Sequence, residues 1–242
     1  MEEGEQKKKD LLLPVSILIA AVLIAGSLVY STGKNSVAGK KLASETLDEV
    51  SPEYVKEIDK NEHVLGDISA PVKIIEFSDL ECPFCKRFHQ TMKQVMEAYE
   101  GKVVWVYRHF PIDQLHSKAR KESEASECAG ELGGNEKFWE YVDKIYEVTP
   151  SNNGLDPALL PKLAEEIGLN KKAFEGCLKS GKYAEKIASQ IEEAEKAGAK
   201  GTPYSIIITK KGKRYAIPGA FLFEDAGSQA DMKRIVEAAL KN

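Results

Sequence analysis

The hydrophobic period of the chain changes twice between residues 72 and 110, and this constrains the fold more than any other feature. Val72 to Phe77 is a β-rich run typical of a buried strand. From Pro83 the apolar residues recur with helical spacing on one face, and Gly101 is the predicted end of that helix. Val103 to Phe110 is again a strand pattern. A strand, a helix and a strand this close together predict a βαβ unit with a parallel strand pair.

The rest of the chain predicts a helical block followed by two strands and a final helix. The strands are Tyr204 to Thr209 and Arg214 to Ile217, joined by a hairpin turn. Met232 to Leu240 has the spacing of an amphipathic helix. The predicted class is therefore α/β, with a helical insertion at about residues 115–198 between a βαβ half and a ββα half. Signals inside the insertion are the stop at Gly133-Gly134, the start at Asp156-Pro157 and the cap at Asn170.

A membrane anchor is predicted at the N-terminus. Leu11 to Tyr30 is a run of twenty residues without a charge, which is long enough for one helical span. A cleaved signal peptide is the alternative, with Ser36-Val37-Ala38 as a small-residue cleavage site, but its apolar stretch would usually be shorter. We favour the uncleaved anchor. The predicted organisation is residues 1–31 as tail and anchor, 32–60 as a polar spacer, and 61–242 as one domain.

Charge and cysteine placement bear on the location of that domain. Lysines flank the predicted span on both sides, and the three before it lie closer, which favours a cytoplasmic N-terminus. All four cysteines follow the span, as expected for an oxidising exterior. The net charge of −4, from 34 basic and 38 acidic residues, offers no basic field for nucleic acid. We expect a single-pass protein of the cell membrane with its main domain outside the cytoplasm.

Cys82-Pro83-Phe84-Cys85 is the motif that carries chemistry. It lies where the predicted strand gives way to the helix, so Cys82 should occupy the helix N-terminus, where free N–H groups and the helix dipole favour a thiolate. Cys85, one turn later, should be less exposed and able to resolve a mixed disulfide at Cys82. Half of a zinc site is the alternative, but there is no second Cys-x-x-Cys and the four histidines show no paired spacing. We therefore predict a redox pair and no metal.

Three further features surround this motif. Glu76 lies six residues before Cys82, and either it sits beneath the helix as a proton carrier for Cys85 or strand alternation points it to solvent. Thr202-Pro203 precedes a strand, where the peptide bond could be cis or a plain trans strand start. His89 is expected to be a solvated helix residue, and His116 to be local structure before a helix.

Several motifs together resemble the DsbA-like branch of the thioredoxin superfamily, and more narrowly its membrane-anchored bacterial and archaeal oxidoreductases. The match runs from about residue 60 to the C-terminus. It rests on Gly66-Asp67, Ala70-Pro71, Glu76-Phe77-Ser78-Asp79, Cys82 through His89, Tyr107 through Pro111, His116, Cys128-Ala129, Phe138-Trp139, Cys177-Leu178 and Gly201-Thr202-Pro203.

The resemblance implies a thioredoxin fold with the insertion described above. It implies Cys82 as nucleophile, Cys85 as its partner, Glu76 as buried proton carrier, and a cis Pro203 facing the pair. With Pro83, Phe84 and Thr202, Pro203 would contact substrate. A related periplasmic oxidase has His inside its Cys-x-x-Cys where this chain has Phe84, so a cation that would stabilise the thiolate is missing from the motif.

The resemblance also implies a structural disulfide between Cys128 and Cys177. Both lie on apolar helical faces in the predicted insertion. Two free buried cysteines packing as small hydrophobes are the alternative.

The expected function is thiol–disulfide exchange on exported proteins that carry cysteine thiols, with disulfide formation favoured over isomerisation or reduction. By resemblance, no cofactor is needed, and reoxidation would come from a quinone-linked membrane protein of the DsbB or vitamin K epoxide reductase type. A non-catalytic binding module or chaperone for exported chains is the alternative.

Overall fold

The structure is a computed structural model that describes residues 47–228 and 230–242. The predicted anchor at Leu11–Tyr30 lies outside these residues, as does most of the predicted spacer. Across the part of the chain that the structure does describe, we find no helix with the length and apolar character needed to cross a bilayer.

Within the described residues, five strands form one mixed sheet with the spatial order β1-β3-β2-β4-β5. The pair β2–β3 is parallel, and the other three pairs are antiparallel. The predicted βαβ unit and the predicted hairpin are therefore both confirmed. The strands are β1 (His63–Leu65), β2 (Val72–Ser78), β3 (Val103–His109), β4 (Tyr204–Ile208) and β5 (Arg214–Pro218).

β2 lies at the centre of the sheet, and both of its faces are covered. Ile74 belongs to the larger core cluster, which fills the space between the sheet and the active-site helix. Ile75 and Phe77 belong to a second cluster on the opposite face. Because side chains alternate along a strand, Glu76 and Ser78 share the face of Ile74. This places both polar side chains beneath the first long helix.

That helix, α1 (Pro83–Ala98), follows β2 directly. Phe88, Met92 and Val95 are fully buried, as the helical spacing predicts. The helix ends three residues earlier than predicted, at Ala98, and Gly101 instead takes a left-handed conformation (φ 71°) in the turn that leads into β3.

The predicted helical insertion is confirmed. Its first part, α2 (Ala119–Val148), consists of two helical segments that meet at Gly134, where the angles φ 78° and ψ −175° are not helical. The predicted stop at Gly133-Gly134 is therefore confirmed. The side chains of Asp156 and Asn170 cap the helical turns that follow them, as predicted. The remaining helices of the insertion are a 3-10 turn (Pro157–Leu159), α3 (Leu160–Glu166), α4 (Lys171–Ser180) and α5 (Ala184–Lys196).

Three elements complete the fold. The final helix, α6 (Met232–Lys241), packs its apolar face into the larger core cluster, with its start capped by Asp231. A 3-10 turn forms at Pro52–Tyr54. The edge strand β1 was not predicted from the sequence, since three residues are too few to show a strand period.

Candidate active site

Cys82 is the N-cap residue of α1, with extended backbone angles and Pro83 at the first helical position. Cys82 is 4% exposed, whereas Cys85, one helical turn later, is completely buried. Both are free thiols in the structure. The backbone N–H groups of Phe84 and Cys85 hydrogen-bond to the Cys82 sulfur and favour its ionised form.

The Thr202–Pro203 peptide bond is cis, and it brings the chain against the thiol pair. The Cys82 thiol donates to the carbonyl oxygen of Thr202 at 3.4 Å. A pocket of about 320 Å³ borders the cis proline, and its lining includes Gly201, Thr202, Tyr204 and Pro218.

The two thiols have opposite pKa shifts. A hydrogen bond from the Cys85 thiol lowers the pKa of Cys82 to about 6, against the opposing effect of burial, and further hydrogen bonds from Thr202 and the helix N-terminus contribute. Burial raises the pKa of Cys85, and its hydrogen bond to Cys82 and the charges of Cys82 and Glu76 raise it further. At neutral pH the pair therefore holds one ionised, outer sulfur and one protonated, inner sulfur.

Glu76 is completely buried on β2, so the alternative that it points to solvent is wrong. Neither carboxyl oxygen has a hydrogen-bond partner of normal geometry among the described residues. Burial raises the pKa of Glu76 to about 7, while hydrogen bonding by Ser78 and Trp105 partly offsets that rise. A carboxyl group with this pKa can both give and take a proton near neutral pH.

Phe84, inside the motif, is exposed, with 55% of its surface accessible. The Arg87 guanidinium lies 5.4 Å from the centre of the Phe84 ring and donates to the carbonyl of Ala220 at 3.3 Å. Phe84 thus presents an apolar face beside Cys82, backed by a cation from the same helix.

Asp79 organises the turn between β2 and α1, and sequence reasoning gave it no role. One carboxylate oxygen accepts the Glu81 N–H at 2.8 Å, and the other accepts both the Ile112 N–H and the His116 ring at 2.8 Å. The Asp79 backbone accepts the Cys82 N–H at 3.1 Å and donates its own N–H to the Cys85 sulfur at 3.5 Å. His116 is thus a partner of the active-site turn. Burial opposes its charge, but Asp79 raises its pKa overall.

A second unpredicted group is the buried acid pair of Glu81 and Glu122. The Glu81 carboxylate accepts the N–H groups of Gly154 and Leu155, each at 3.2 Å. Burial raises the pKa of Glu122 to about 9, and hydrogen bonding and charge from Glu81 add to that shift. Glu122 therefore stays protonated at neutral pH. The sequence indicated the burial of Glu122 only through its spacing, because Glu122 lies three and seven residues before the buried Ala125 and Ala129 on the same helical face.

His89 is not solvated, contrary to expectation. Its ring is buried one turn after Cys85 and bonds the Asp143 carboxylate at 2.6 Å. Burial lowers the pKa of His89, although Asp143 opposes the shift. The partner lies 54 residues further along the chain, so nothing near His89 in the sequence indicated it.

Cys128 on α2 and Cys177 on α4 form a disulfide, with 5.8 Å between their Cα atoms. The bond joins two helices of the insertion. Within residues 47–228 and 230–242, no group of three or more histidine, cysteine or acidic side chains is placed to hold a metal ion.

This sheet topology with its helical insertion defines a DsbA-like fold of the thioredoxin superfamily. A family model described as thioredoxin matches residues 58–238, and the chain belongs to that family. The membrane-anchored type suggested by the sequence stays a prediction.

Several characterised proteins are similar to this chain. DsbA2 of Pseudomonas aeruginosa superposes with a TM-score of 0.60 and 27% identity, over 76% of this chain and 94% of that one. Oxidised BdbD of Bacillus subtilis shares the fold with a TM-score of 0.62 and 22% identity, over 81% of this chain and 100% of that one. A probable disulfide bond formation protein D of Bacillus anthracis is 25% identical over 211 residues, covering 82% of this chain and 88% of that protein.

A different kind of relative matches the chain over only part of its own length. The Na(+)/H(+) antiporter NhaA 3 of Salinispora tropica is 31% identical over 157 residues, which are 65% of this chain. The matched region spans 22% of the length of that antiporter.

Proposed function

We propose that the protein is a thiol–disulfide oxidoreductase that forms disulfides in exported proteins through Cys82 and Cys85. The observation that carries the proposal is the asymmetry of the pair at the N-terminus of α1. The pKa of Cys82 is lowered to about 6 and the pKa of Cys85 is raised, beside a cis proline. A nucleophile and a resolving thiol need this division of roles.

One turnover begins with the Cys82–Cys85 disulfide. A substrate thiolate attacks the Cys82 sulfur, the bond to Cys85 breaks, and Cys85 leaves as a thiolate that Glu76 protonates. A second substrate thiolate then attacks the substrate sulfur of the mixed disulfide and releases Cys82 as a thiolate. The substrate gains a disulfide and loses two electrons, which remain on the reduced pair until it is reoxidised.

The direction of exchange follows from the stability of the released thiolate. A low pKa stabilises the reduced form and makes the disulfide more oxidising. Phe84 adds no charge to Cys82, so the stabilisation comes from the Cys85 thiol, Thr202 and the helix N–H groups. Disulfide donation is therefore favoured over reduction.

Substrate would contact the protein around Cys82. Phe84 is exposed and apolar, and Pro83, Thr202 and Pro203 border the same sulfur. We propose that these residues hold an extended, unfolded segment of the substrate while its cysteine reacts. The similarity to DsbA2 of Pseudomonas aeruginosa and to the probable disulfide bond formation protein D of Bacillus anthracis supports disulfide formation as the reaction.

The location and the electron acceptor belong to the same proposal. The uncharged run at Leu11–Tyr30 supports a single-pass anchor, with the catalytic domain outside the cytoplasm. A protein that donates disulfides must be reoxidised, and a quinone-linked membrane oxidase of the DsbB or vitamin K epoxide reductase type would do so next to the anchor. The chain's own chemistry needs no cofactor.

The test uses the full chain in detergent micelles and a reduced, unfolded protein as substrate. The wild-type protein with its Cys82–Cys85 disulfide formed is expected to introduce disulfides, and Cys82→Ser to be inactive. Cys85→Ser, first converted by oxidised glutathione into a glutathione mixed disulfide at Cys82, is expected to exchange glutathione for the substrate thiol and accumulate a mixed disulfide between Cys82 and the substrate. Equilibration with glutathione then measures the potential of the pair, with about −120 mV typical of an oxidant and about −270 mV of a reductant.

The same variants distinguish an oxidoreductase from the alternative, a non-catalytic binding module or chaperone. If the protein is a binding module or chaperone, its Cys82→Ser variant should still prevent the aggregation of unfolded chains. Retention of all measured function in that variant would overturn the oxidoreductase proposal.

A further inference from the structure

Ser78 ends β2 directly before the active-site turn, and it lies on the same face of the strand as Glu76. Both residues are completely buried. Side chains two residues apart on a strand lie next to each other on one face. The Ser78 hydroxyl is therefore a neighbour of a carboxyl group that has no direct hydrogen-bond partner of normal geometry in the described chain.

The Cys85 sulfur lies next to the residue that follows Ser78. It accepts the backbone N–H of Asp79, so it lies against the peptide unit that joins Ser78 to Asp79. Burial raises the pKa of both Cys85 and Glu76, and hydrogen bonding by the Ser78 hydroxyl partly offsets that rise in each. Between Cys85 and Glu76 themselves the interaction is one of charge alone.

A buried hydroxyl network holds the Ser78 side chain in place. The Ser78 and Tyr146 hydroxyls lie 3.1 Å apart, and Tyr146 also donates to the Asp79 carbonyl at 3.3 Å. The Tyr107 hydroxyl is 3.5 Å from that of Tyr146. A hydroxyl can donate one proton and accept another at the same time, and it reorients by rotation about one bond.

We infer that Ser78 relays the proton between Glu76 and Cys85 each time the active-site disulfide opens or closes. The inference rests on the proposed function, because it assigns the proton path of that exchange. It adds a residue with no acid–base chemistry of its own to the thiol pair and its carboxyl group.

The proton and electron balance of the opening step is as follows. The substrate thiolate forms a bond to the Cys82 sulfur, and the electron pair of the Cys82–Cys85 bond stays on Cys85. The Ser78 hydroxyl gives its proton to the Cys85 sulfur and takes the proton of the Glu76 carboxyl group. The products are the mixed disulfide, a Cys85 thiol and a Glu76 carboxylate. Reoxidation reverses the path and returns the proton to Glu76.

The experiment measures how fast glutathione opens the Cys82–Cys85 disulfide of the full chain in a single turnover between about pH 5 and 9. The reaction is quenched with acid, and the state of Cys82 and Cys85 is read by alkylation and peptide mass. This readout needs no protein substrate. A failure of the proposed function, in which substrate proteins are not oxidised, is therefore distinguishable from a failure of the relay.

Ser78→Ala should slow opening by about 100-fold, the lower end of the range that general acid–base catalysis typically supplies. Ser78→Thr, which keeps a hydroxyl, should recover most of the rate. Ser126→Ala should match the wild type, because that buried hydroxyl bonds only a carbonyl inside α2. Thermal unfolding of each variant checks that its fold is intact.

A double-mutant cycle separates a relay from a packing role. If the proton passes through Ser78, Glu76→Gln and Ser78→Ala remove the same step, and the double variant should be no slower than the slower single variant. The pH dependence that Glu76 gives to the rate should also vanish in Ser78→Ala. A wild-type rate and pH profile in Ser78→Ala, or fully multiplicative effects in the cycle, would overturn the inference.

Discussion

The Cys82 sulfur and the carbonyl oxygen of Thr202 lie 3.4 Å apart across the cis peptide bond to Pro203. The side-chain hydroxyl of Thr202 is also buried. It has no hydrogen-bond partner among the described residues while Cys82 is a thiol. Once Cys82 ionises, its sulfur can only accept hydrogen bonds, and the Thr202 side chain favours that form. Thr202 therefore contacts the reactive sulfur in both of its protonation states.

Replacing Thr202 with valine should raise the pKa of Cys82 above its value of about 6, because the thiolate loses one hydrogen bond. The thiolate absorbs near 240 nm, so a pH titration of that absorbance measures the change. Each unit of increase should make the pair less oxidising by up to about 30 mV.

Thr209→Val is the matched control for this change. Thr209 is a second buried threonine with an unpartnered hydroxyl, and it follows the far end of β4. Its replacement should leave the Cys82 titration unchanged. An equal shift in both variants would mean that Thr202 acts through general packing and not through its hydroxyl.

Glu76→Gln should flatten the pH dependence of stability. The folded state raises the pKa of Glu76 from 4.5 to about 7, so the protein binds this proton more tightly when folded. The contribution of this bound proton to the free energy of unfolding is fully present below pH 4.5 and is lost as the pH rises through about 7. Linkage between proton binding and folding converts this pKa difference into about 3 kcal/mol of unfolding free energy.

Urea unfolding of the reduced protein at about pH 4 and pH 8 measures this effect as a difference between wild type and variant. The wild type should lose more free energy of unfolding than Glu76→Gln over that interval. An identical loss in the two proteins would show that Glu76 does not change its protonation there. Subtracting one protein from the other removes the contributions of Cys82 and Glu122, which both proteins share.

Removing the Cys128–Cys177 disulfide should lower stability without changing the active-site potential. The bond closes a loop with a sequence separation of 49, and the chain-entropy model assigns about 4 kcal/mol to a loop of that size. The double variant Cys128→Ala/Cys177→Ala should therefore unfold at a lower urea concentration than the wild type. Equilibration of its Cys82–Cys85 pair with glutathione should still give the wild-type potential.

The matched control is the double variant Cys82→Ser/Cys85→Ser. Compared with the reduced wild type, it should lose far less stability. A changed potential in the first double variant would mean that the disulfide shapes the active site.

The parts of the fold that could be predicted are those whose signal is local. The strand β2, the helix α1 and the hairpin β4–β5 each have their own hydrophobic period, and Pro83 and Asn170 mark helix starts that depend on neighbouring residues alone. The position of Cys82 at a helix tip followed directly from these signals.

Other features could not be predicted because their partners are distant in the chain. Alternation along β2 could not decide the side of Glu76, since both faces of a central strand are covered here. The burial of His89 depends on Asp143, and the link between Asp79 and His116 crosses 37 residues. Such pairs are set by how the helical insertion folds back over α1, which no local period records.

Glu122→Gln should stabilise the protein at alkaline pH and keep the loop beside Cys82 in place. In the folded state, burial and then Glu81 raise the pKa of Glu122 from 4.5 to about 9, so its stabilising proton is lost as the pH rises through about 9. Above that pH two buried carboxylates repel each other, and Glu81 can no longer hold the Gly154 and Leu155 N–H groups as firmly.

Hydrogen exchange of residues 152–155 at about pH 7 and pH 10, after correction for the intrinsic rates, measures the loop directly. The wild type should lose protection there at the higher pH, and Glu122→Gln should keep it because an amide cannot ionise. Glu124→Gln, a nearly buried neighbour paired with Lys121 on the same helix, is the matched control and should behave like the wild type. Equal loss of protection in wild type and Glu122→Gln would rule out the acid pair as the cause, since the same loop would then open for a reason that the proton on Glu122 does not govern.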